Sequence, residues 1–185
     1  YPDNQFFVYQ DDEQESISFT IFEKNDFKKI NSFKNYRETV ISYLTEIIFQ
    51  RRVNEIKEKN EQSFLDAYIS DFNASDLDEF RIAAVVVKED EILAGIEDFL
   101  TLIEQIKQYG FLNSELELAK KNQLNHFKRN LKENETRSSD SYINEYQRHY
   151  LYDEMISGAA KEVEYTSDIL PSIAVDDLSN YFKNY

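Results

Sequence analysis

The 185-residue sequence contains no cysteine and only three glycines and two prolines. The lack of cysteine excludes disulfide bonds, thiolate nucleophiles and cysteine-ligated zinc, but it does not indicate a cellular compartment. So few glycines leave no glycine-rich phosphate loop, and no G-x-S-x-G nucleophile motif occurs. Scarce glycine and proline also favour long regular elements over a β-sandwich built on many tight turns.

Long hydrophobic runs are missing as well. Residues 82–87 form one of the longest apolar runs, which is far shorter than the ~20 residues of a membrane span, so we expect no membrane insertion. The 36 acidic side chains outnumber the 21 basic ones, and the net charge of −15 would repel nucleic acid. This acidity serves either solubility alone or the attraction of basic peptides or cations.

The sequence does contain ample aromatic area for a core, with 14 Phe and 13 Tyr. A length of 185 residues is typical of one globular domain. The chain begins Tyr1-Pro2-Asp3, without an initiator methionine, signal peptide or basic leader. We therefore expect residues 1–185 to be one soluble domain excised from a longer chain, whose compartment stays open between the bacterial periplasm and the cytoplasm.

The periodicity of apolar residues predicts strands and one long helix in the first half of the chain. Residues 6–10 and 16–22 are typical of strands, and the acidic residues 11–15 are expected to connect them as a hairpin. Apolar residues three or four apart predict a helix from Phe33 to Ile56. Residues 64–72 are a further strand. The β-branched run within residues 81–88 predicts a central strand covered on both faces.

The second half is predicted to be helical. One apolar stripe runs from Ile92 to Tyr109 and ends at Gly110, which would supply a left-handed residue. Ser114 and Glu117 have the spacing of a capping box, so a helix is expected from about residue 115 to 133. Two more helices are predicted, one across residues 142–150 and a short one after Pro171. This order predicts an α+β fold, with a mixed, mostly antiparallel sheet and layered helices.

The candidate functional residues are two histidines and several pairs of acidic or basic residues. His126 and His149 belong to neither H-x-x-E-H nor H-E-x-x-H, so we expect them to have structural or surface roles. Acidic and basic pairs are expected to lie at solvated faces, helix N-termini and surface ion pairs. We therefore assign no catalytic and no metal-binding residue, and the sequence leaves the substrate-binding residues unknown. The pairs are Asp11 with Asp12, Glu89 with Asp90, Asp176 with Asp177, Arg51 with Arg52, Lys120 with Lys121, and Lys128 with Arg129.

Three stretches together resemble the insulinase/pitrilysin family of zinc metallopeptidases, specifically the domain that follows the zinc-bearing one. The most specific part is the G-F-x-x-x-E-L-x-x-A-K-K pattern at residues 110–121. Ala174 departs from the hydroxyl residue that often precedes the last helix. The resemblance covers residues 16–182, and its stretches are residues 36–56, residues 85–121 and residues 138–178.

The resemblance implies a sandwich fold in which a pair of domains forms half of a closing chamber. It also implies that zinc and its H-x-x-E-H helix lie on the preceding domain, which would be this domain's partner in the same chain. No catalytic residue of the family can be transferred, because no position here matches that motif. This domain would then serve as scaffold and chamber wall for a parent enzyme that hydrolyses peptides.

Two other functions stay open at this point. The chain could be an acidic protein-interaction module from a catalytically dead homologue. It could also be an independent enzyme that uses two carboxylates, which would require a deep pocket with a buried Asp or Glu of raised pKa.

Overall fold

The computed structural model describes residues 4–13, 16–60, 62–75, 77–133 and 138–185. Within these residues the chain forms three strands, six α-helices and one short 3₁₀ turn, so the predicted α+β class is confirmed. The elements are β1 (Ile17–Asp26), α1 (Phe33–Lys59), β2 (Phe64–Asn73), β3 (Asp78–Val87), α2 (Ile92–Tyr109), α3 (Asn113–Lys132), α4 (Ser139–Tyr152), α5 (Gly158–Ile169), the 3₁₀ turn (Leu170–Ser172) and α6 (Val175–Phe182).

The three strands form one antiparallel sheet in the order β1-β3-β2. The central position of β3 confirms one part of the prediction from its β-branched run. The other part, a cover on both faces, is wrong, because the helices pack on one face and Tyr68 and Phe72 of the opposite face are exposed. The register of β3 places Val85 opposite Phe19 of β1 and Ala67 of β2. Arg81 of β3 lies opposite Glu23 on one side and Asp71 on the other, so three charged residues share one row across the sheet.

The helices cover one face of this sheet, which we call the inner face. α1 and α2 pack on β2, and α2 also packs on β3. Inner-face residues such as Ala67 and Val85 are fully buried, while Tyr68 and Phe72 of the opposite face are exposed. The result is a two-layer domain with its apolar core between sheet and helices. The largest side chains of this core are Phe49, Phe64, Phe99, Phe182, Leu44, Ile48, Ile106, Leu116, Ile169 and Leu178.

The predicted long helix is confirmed as α1, and its ends have clear local causes. Ser32 caps the first turn, because its Oγ accepts a hydrogen bond from the amide of Asn35 at 3.2 Å. Asn60 ends the helix in the left-handed conformation at φ 53°. Between them, apolar residues at helical spacing, such as Leu44 and Ile48, face the core.

The prediction of a first strand at residues 6–10 is wrong. This segment has no regular structure, and the side chains of Phe6, Phe7 and Val8 are 92%, 87% and 90% exposed. Residues 11–13 therefore do not connect a hairpin, and residues 14 and 15 lie outside the described residues. A segment with strand propensity forms a strand only where it can pair with a neighbouring strand and pack on an apolar layer. The described residues place neither beside this segment.

Two helices also differ from the predictions, one in its start and one in its existence. α3 begins at Asn113 rather than about residue 115, and Glu115 instead of Glu117 reaches back, accepting from the Leu112 amide at 2.7 Å. α5 is an additional helix that the periodicity did not predict. Its buried positions include the small Ala159 and the polar Thr166, so its apolar stripe is weak.

Gly110 ends α2 as predicted, but in a different conformation. Its φ of 69° and ψ of −154° lie in a region that essentially only glycine adopts, not in the left-handed helical region. A Cβ at this position would also lie 2.6 Å from Oγ of Ser179. The sharp exit from α2 therefore depends on glycine for both conformation and space.

Gly95 allows α2 to approach the sheet closely, and it gives the first testable prediction. A Cβ there would lie 2.7 Å from Cγ1 of Val87 and 2.9 Å from the carbonyl oxygen of Ser63. We expect Gly95→Ala to lower the free energy of unfolding by about 1–3 kcal/mol despite alanine's better helix propensity. Urea unfolding measures this, with Ala94→Ser on the exposed side of α2 as the control. An equal or higher stability of Gly95→Ala would contradict the close packing.

Candidate functional site

The two histidines each take part in a local contact. Nε2 of His126 in α3 lies 3.1 Å from Nδ2 of Asn130, one turn along the same helix. Nδ1 of His149 in α4 lies 2.7 Å from the carbonyl oxygen of Glu154, just beyond that helix. Within the residues that the structure describes, no group of three or more His, Asp or Glu side chains is arranged to hold a metal ion.

The acid pairs singled out in the sequence lie at turns and helix starts. Asp176 and Asp177 occupy the first turn of α6, as predicted. The Asp177 carboxylate accepts a hydrogen bond from the Ala174 amide at 2.8 Å and pairs with Arg37 at 2.7 Å. Burial alone would raise the pKa of Asp177, but these two partners outweigh burial and lower it. Asp177 therefore supplies the N3 half of a capping box at α6, while Ala174 has no side-chain acceptor to supply the other half.

The basic pair Arg51 and Arg52 divides between two roles. Arg51 forms the expected surface ion pair with Glu55, one turn along α1, at 2.9 Å. Arg52 instead makes a bidentate contact with Glu115 of α3, with both N–O distances at 2.7 Å, and its guanidinium lies 5.0 Å from the ring centre of Phe111. Burial favours a higher pKa for Glu115, but the hydrogen bonds from Arg52 and Leu112 lower it. This contact ties α1 to the start of α3.

The feature that the sequence analysis missed is a groove of about 510 Å³ between α1, the ends of β2 and β3, and α6. It is lined mainly by polar side chains, in contrast to the apolar lining of most small-molecule pockets. Five of its lining residues are acidic and two are basic, so it carries the acidic character of the whole chain. The acids are Glu38, Glu46, Asp71, Glu79 and Asp177, and the bases are Lys28 and Arg81.

Asp71 is the centre of a hydrogen-bond network at the inner end of this groove. Its Oδ2 accepts from Oγ of Ser42 at 2.9 Å and from the hydroxyl of Tyr181. Its Oδ1 accepts from the hydroxyl of Tyr185 at 3.1 Å. Burial is the main cause that raises the pKa of Tyr181, and the charge of Asp71 adds to it. Burial also raises the pKa of Tyr185. Both phenols therefore stay protonated and can donate. One carboxylate thus joins α1, β2, α6 and Tyr185, which lies beyond the end of α6.

Arg81 supplies the positive charge that this buried carboxylate needs. Its Nε lies 3.4 Å from Oδ1 of Asp71, within ion-pair distance, and its Nη1 donates to Oε2 of Glu23 at 3.3 Å. The guanidinium also lies between two aromatic rings, 4.7 Å from the centre of Tyr181 and 4.9 Å from that of Tyr185. The Arg81 side chain is only 12% exposed, so its ion pair with Asp71 and its cation–π contacts are shielded from solvent, whereas the Glu23 side chain is 48% exposed.

Glu46 is the most strongly perturbed carboxyl in the groove. Its Oε1 accepts a hydrogen bond from the Asp71 amide at 3.0 Å. Burial, together with repulsion from the Asp71 carboxylate, raises the pKa of Glu46 to about 7, although the amide hydrogen bond acts in the opposite direction. Burial and Asp71 also raise the pKa of Glu79, partly offset by Lys28 and Arg81. The groove thus holds a carboxyl that can exchange a proton near neutral pH.

This arrangement can stabilise the fold and can in principle transfer a proton. It meets part of the requirement stated above for a carboxylate enzyme, because the groove contains a Glu of raised pKa beside a second acid, but Glu46 is half-buried and the groove is open to solvent. The Asp71 carboxylate, however, is already occupied by three hydroxyl donors and by Arg81. A carboxylate bound in this way holds elements together and is poorly placed to activate water.

The raised pKa of Glu46 predicts a pH dependence of stability. The folded protein binds this proton more tightly than the unfolded chain, so stability falls as pH rises from about 4.5, and the loss is complete once pH passes about 7. Glu46→Gln cannot ionise. Relative to the wild type, its free energy of unfolding should therefore improve by about 1–2 kcal/mol between about pH 5 and pH 8, a range that allows for partial solvent screening.

Urea unfolding at the two pH values measures this change. Glu55→Gln removes an exposed carboxylate from the same helix and is the matched control. Its gain in the free energy of unfolding between these pH values should be less than half that of Glu46→Gln. A stability of Glu46→Gln that follows the wild type in parallel across this range would contradict the assigned pKa.

The network also predicts the cost of removing one hydroxyl. Tyr181→Phe keeps the ring beside Arg81 but removes the donor to Asp71, so we expect a loss of about 2 kcal/mol in the free energy of unfolding. Tyr43→Phe is the control, because Tyr43 lines the same groove and is 41% exposed. Its stability should stay within about 0.5 kcal/mol of the wild type. Equal effects of the two substitutions in chemical denaturation would refute the network's contribution.

Comparison with known proteins yields structural matches only. No protein-family model matches the sequence, and no curated protein matches it. The first half of the periplasmic protease PqqL from Escherichia coli superposes with a TM-score of 0.87 at 13% identity, over 93% of this chain and 37% of that one. A predicted insulinase family protease from Yersinia pestis superposes with a TM-score of 0.75 at 10% identity, over 90% of this chain and 36% of that one. The peptidase M16 inactive domain from Pseudomonas fluorescens superposes with a TM-score of 0.58 at 13% identity, over 92% of this chain and 38% of that one.

These matches extend over nearly all of this chain but only part of each neighbour. The chain spans 37% of the first half of PqqL and 19% of a longer PqqL chain. The neighbours are therefore multi-domain proteases or halves of them, and the resemblance to the insulinase family is supported at the level of the fold. Separately, no helix of the described residues is both long and apolar enough to cross a bilayer.

Proposed function

We propose that this chain, which has the fold of an M16 peptidase-like domain, is the non-catalytic structural domain of a longer insulinase-type zinc peptidase. The observation that carries the proposal is the superposition at a TM-score of 0.87 over 93% of the chain, on a segment of a protease much longer than itself. A domain of this kind is one part of a protein whose other parts perform the chemistry.

The donor groups of the chain fit this division. Zinc hydrolases need several ligands that converge on one ion and leave a coordination position open for water. The sequence offers two histidines, which lie on different helices and contact Asn130 and Glu154 respectively. In our proposal the preceding domain of the same chain holds the zinc and activates the water. This domain packs beside it and forms part of the wall of the substrate chamber.

The acidic groove is the proposed point of contact with the peptide substrate. Its five carboxylates and the net charge of −15 favour peptides that carry lysine or arginine. Incoming lysine and arginine side chains would pair with Glu38 and Glu79 in competition with Lys28, whose Nζ lies 3.5 Å from Oε2 of Glu38, while Asp71 and Arg81 stay paired with each other. PqqL is described as periplasmic. A chain without cysteine is compatible with that compartment and with the cytoplasm.

Two alternatives are supported by particular observations. An acidic interaction module, derived from a catalytically dead homologue, would use the same groove and charge without any zinc domain beside it. The upstream gene sequence separates this module from the peptidase, since an H-x-x-E-H motif in the preceding domain belongs only to the peptidase. An independent carboxylate enzyme is favoured by the raised pKa of Glu46 alone.

The proposal predicts that the purified chain is inert by itself. After incubation with one equivalent of zinc and dialysis, metal analysis should find far less than one zinc per chain. Mass spectrometry should detect no cleavage of an unstructured peptide rich in lysine and arginine at about pH 7. His126→Ala and Glu46→Gln are the controls. Cleavage abolished by His126→Ala would assign zinc chemistry to this chain, and cleavage abolished by Glu46→Gln would establish the carboxylate enzyme.

A further inference from the structure

The last helix is bound to the rest of the fold through the Asp71–Arg81 pair. We define residues 175–185, which comprise α6 and the three residues after it, as the α6 segment. The hydroxyls of Tyr181 and Tyr185 donate to the Asp71 carboxylate, and both tyrosine rings lie against the Arg81 guanidinium. A helix as short as α6 is unstable in water by itself. The α6 segment therefore keeps its position only through its contacts with the rest of the domain.

Glu46 contacts the same aspartate from α1. Its Oε1 accepts a hydrogen bond from the Asp71 amide at 3.0 Å, while the Asp71 carboxylate binds the α6 segment. The Glu46 side chain is half-buried and lines the groove, and no base among the described residues forms an ion pair with it. Ionisation of Glu46 would therefore place a second negative charge beside Asp71 in a site of reduced dielectric constant.

The charged and polar groups near Glu46 come from each element that packs on α1, and the acids among them outnumber the bases. These groups are Glu38, Ser42 and Tyr43 of α1, Asp71 of β2, Glu79 and Arg81 of β3, Glu115 and Lys120 of α3, Asp177, Tyr181 and Tyr185 of the α6 segment, and Lys28 before α1. The bases already have acidic partners, which are Asp71 for Arg81, Glu38 for Lys28 and Glu117 for Lys120. An ionised Glu46 would therefore stay without a counter-charge.

The α6 segment is the neighbour of Glu46 that can move away at the lowest cost. α1 is fixed by its many buried residues, and β2 is paired with β3 along its length. In α6 only Leu178 and Phe182 are buried, and one ion pair, between Asp177 and Arg37, holds its start. Elements with few contacts open at a lower free energy than the whole domain. Opening would let water reach both carboxyl groups, which weakens their repulsion.

We propose that loss of the proton from Glu46 releases the α6 segment from Asp71 and Arg81 while the rest of the domain stays folded, so that the inner end of the groove opens as the pH rises. With the proton in place, Asp71 and Arg81 balance each other and the segment stays closed. Without the proton, hydration of the two carboxylates favours the open form. This switch uses only residues of this chain and does not depend on the proposed peptidase role.

The direction of the change follows from the form in which Glu46 binds its proton more tightly. In the closed form burial, with the Asp71 carboxylate adding to it, raises the pKa of Glu46 from 4.5 to about 7. Opening returns this pKa toward its ordinary value. The closed form therefore has its full advantage below about pH 4.5 and loses it as the pH rises through about 7. Because α1 stays packed on β2, opening relieves only part of the burial.

Native-state hydrogen exchange measures this opening. The exchange rates of amides in residues 175–185 are divided by those of an unstructured peptide at the same pH, which gives the opening equilibrium constant. We expect this constant to rise about tenfold between about pH 5 and pH 8 in the wild type. Glu46→Gln cannot ionise, so its constant should change less than about twofold over this range. Glu55→Gln, which removes an exposed carboxylate from α1, is the control and should behave as the wild type.

Three results would overturn the proposal. In the first, the opening constant of the α6 segment stays level while that of the buried amides of α1 responds to pH, which assigns the effect to global unfolding. In the second, the α6 segment and α1 exchange with the same constant at both pH values, which excludes a separate opening. In the third, the rise persists in Glu46→Gln, which assigns it to another group. Glu46→Ala replaces Glu46→Gln if that variant does not fold, with the same expected result.

Discussion

The ion pair between Asp71 and Arg81 is the interaction on which the C-terminal part of the domain depends. The two residues lie opposite each other on β2 and β3, on the face that packs against the helices. A charge in this position is costly unless it is paired and hydrogen-bonded, so Ser42, Tyr181 and Tyr185 donate to the carboxylate while aromatic rings flank the guanidinium. The last helix is thereby fixed by polar contacts at one end and by Leu178 and Phe182 in the core.

A second pairing of an arginine with a hydrogen-bonded carboxylate occurs where α1 contacts α3. Arg52 and Glu115 form a bidentate pair near Gly110, and Glu115 also starts α3 by accepting from Leu112. At α6, Asp177 combines a helix cap with an ion pair to Arg37. A chain with three glycines and two prolines has few residues that can define turns by backbone geometry alone. Carboxylates that cap one helix and bind an arginine of another take over part of that task.

The sequence predicted the strands β1 to β3 and the helices α1 to α4 and α6, whose apolar residues repeat at strand or helix spacing. It failed where packing partners decide. Residues 6–10 have strand propensity, but the structure pairs them with no strand of the described residues. The helical period of α5 is weak because its buried positions include Ala159 and Thr166. The groove was missed because its residues meet only in the folded chain: the sheet register brings Asp71 and Arg81 together, and Glu46 reaches Asp71 only where α1 packs on β2. One signal was available. Asp71 continues the inward-facing positions of Ala67 and Ile69, and Arg81 continues those of Val85 and Ala83, so each places a charge that needs a counter-charge.

The origin of the raised pKa in the groove determines how Glu46 should be interpreted. A catalytic acid is perturbed so that it can act on a substrate, and its neighbours leave an open position for the reacting atom. Glu46 is perturbed because α1 buries it against the amide of Asp71, beside a carboxylate already occupied by four partners. The structure needs Asp71 to be ionised for its pair with Arg81, and the repulsion on Glu46 follows from that need. A carboxyl with a near-neutral pKa can therefore result from the packing of a helix on a sheet and does not by itself indicate catalysis.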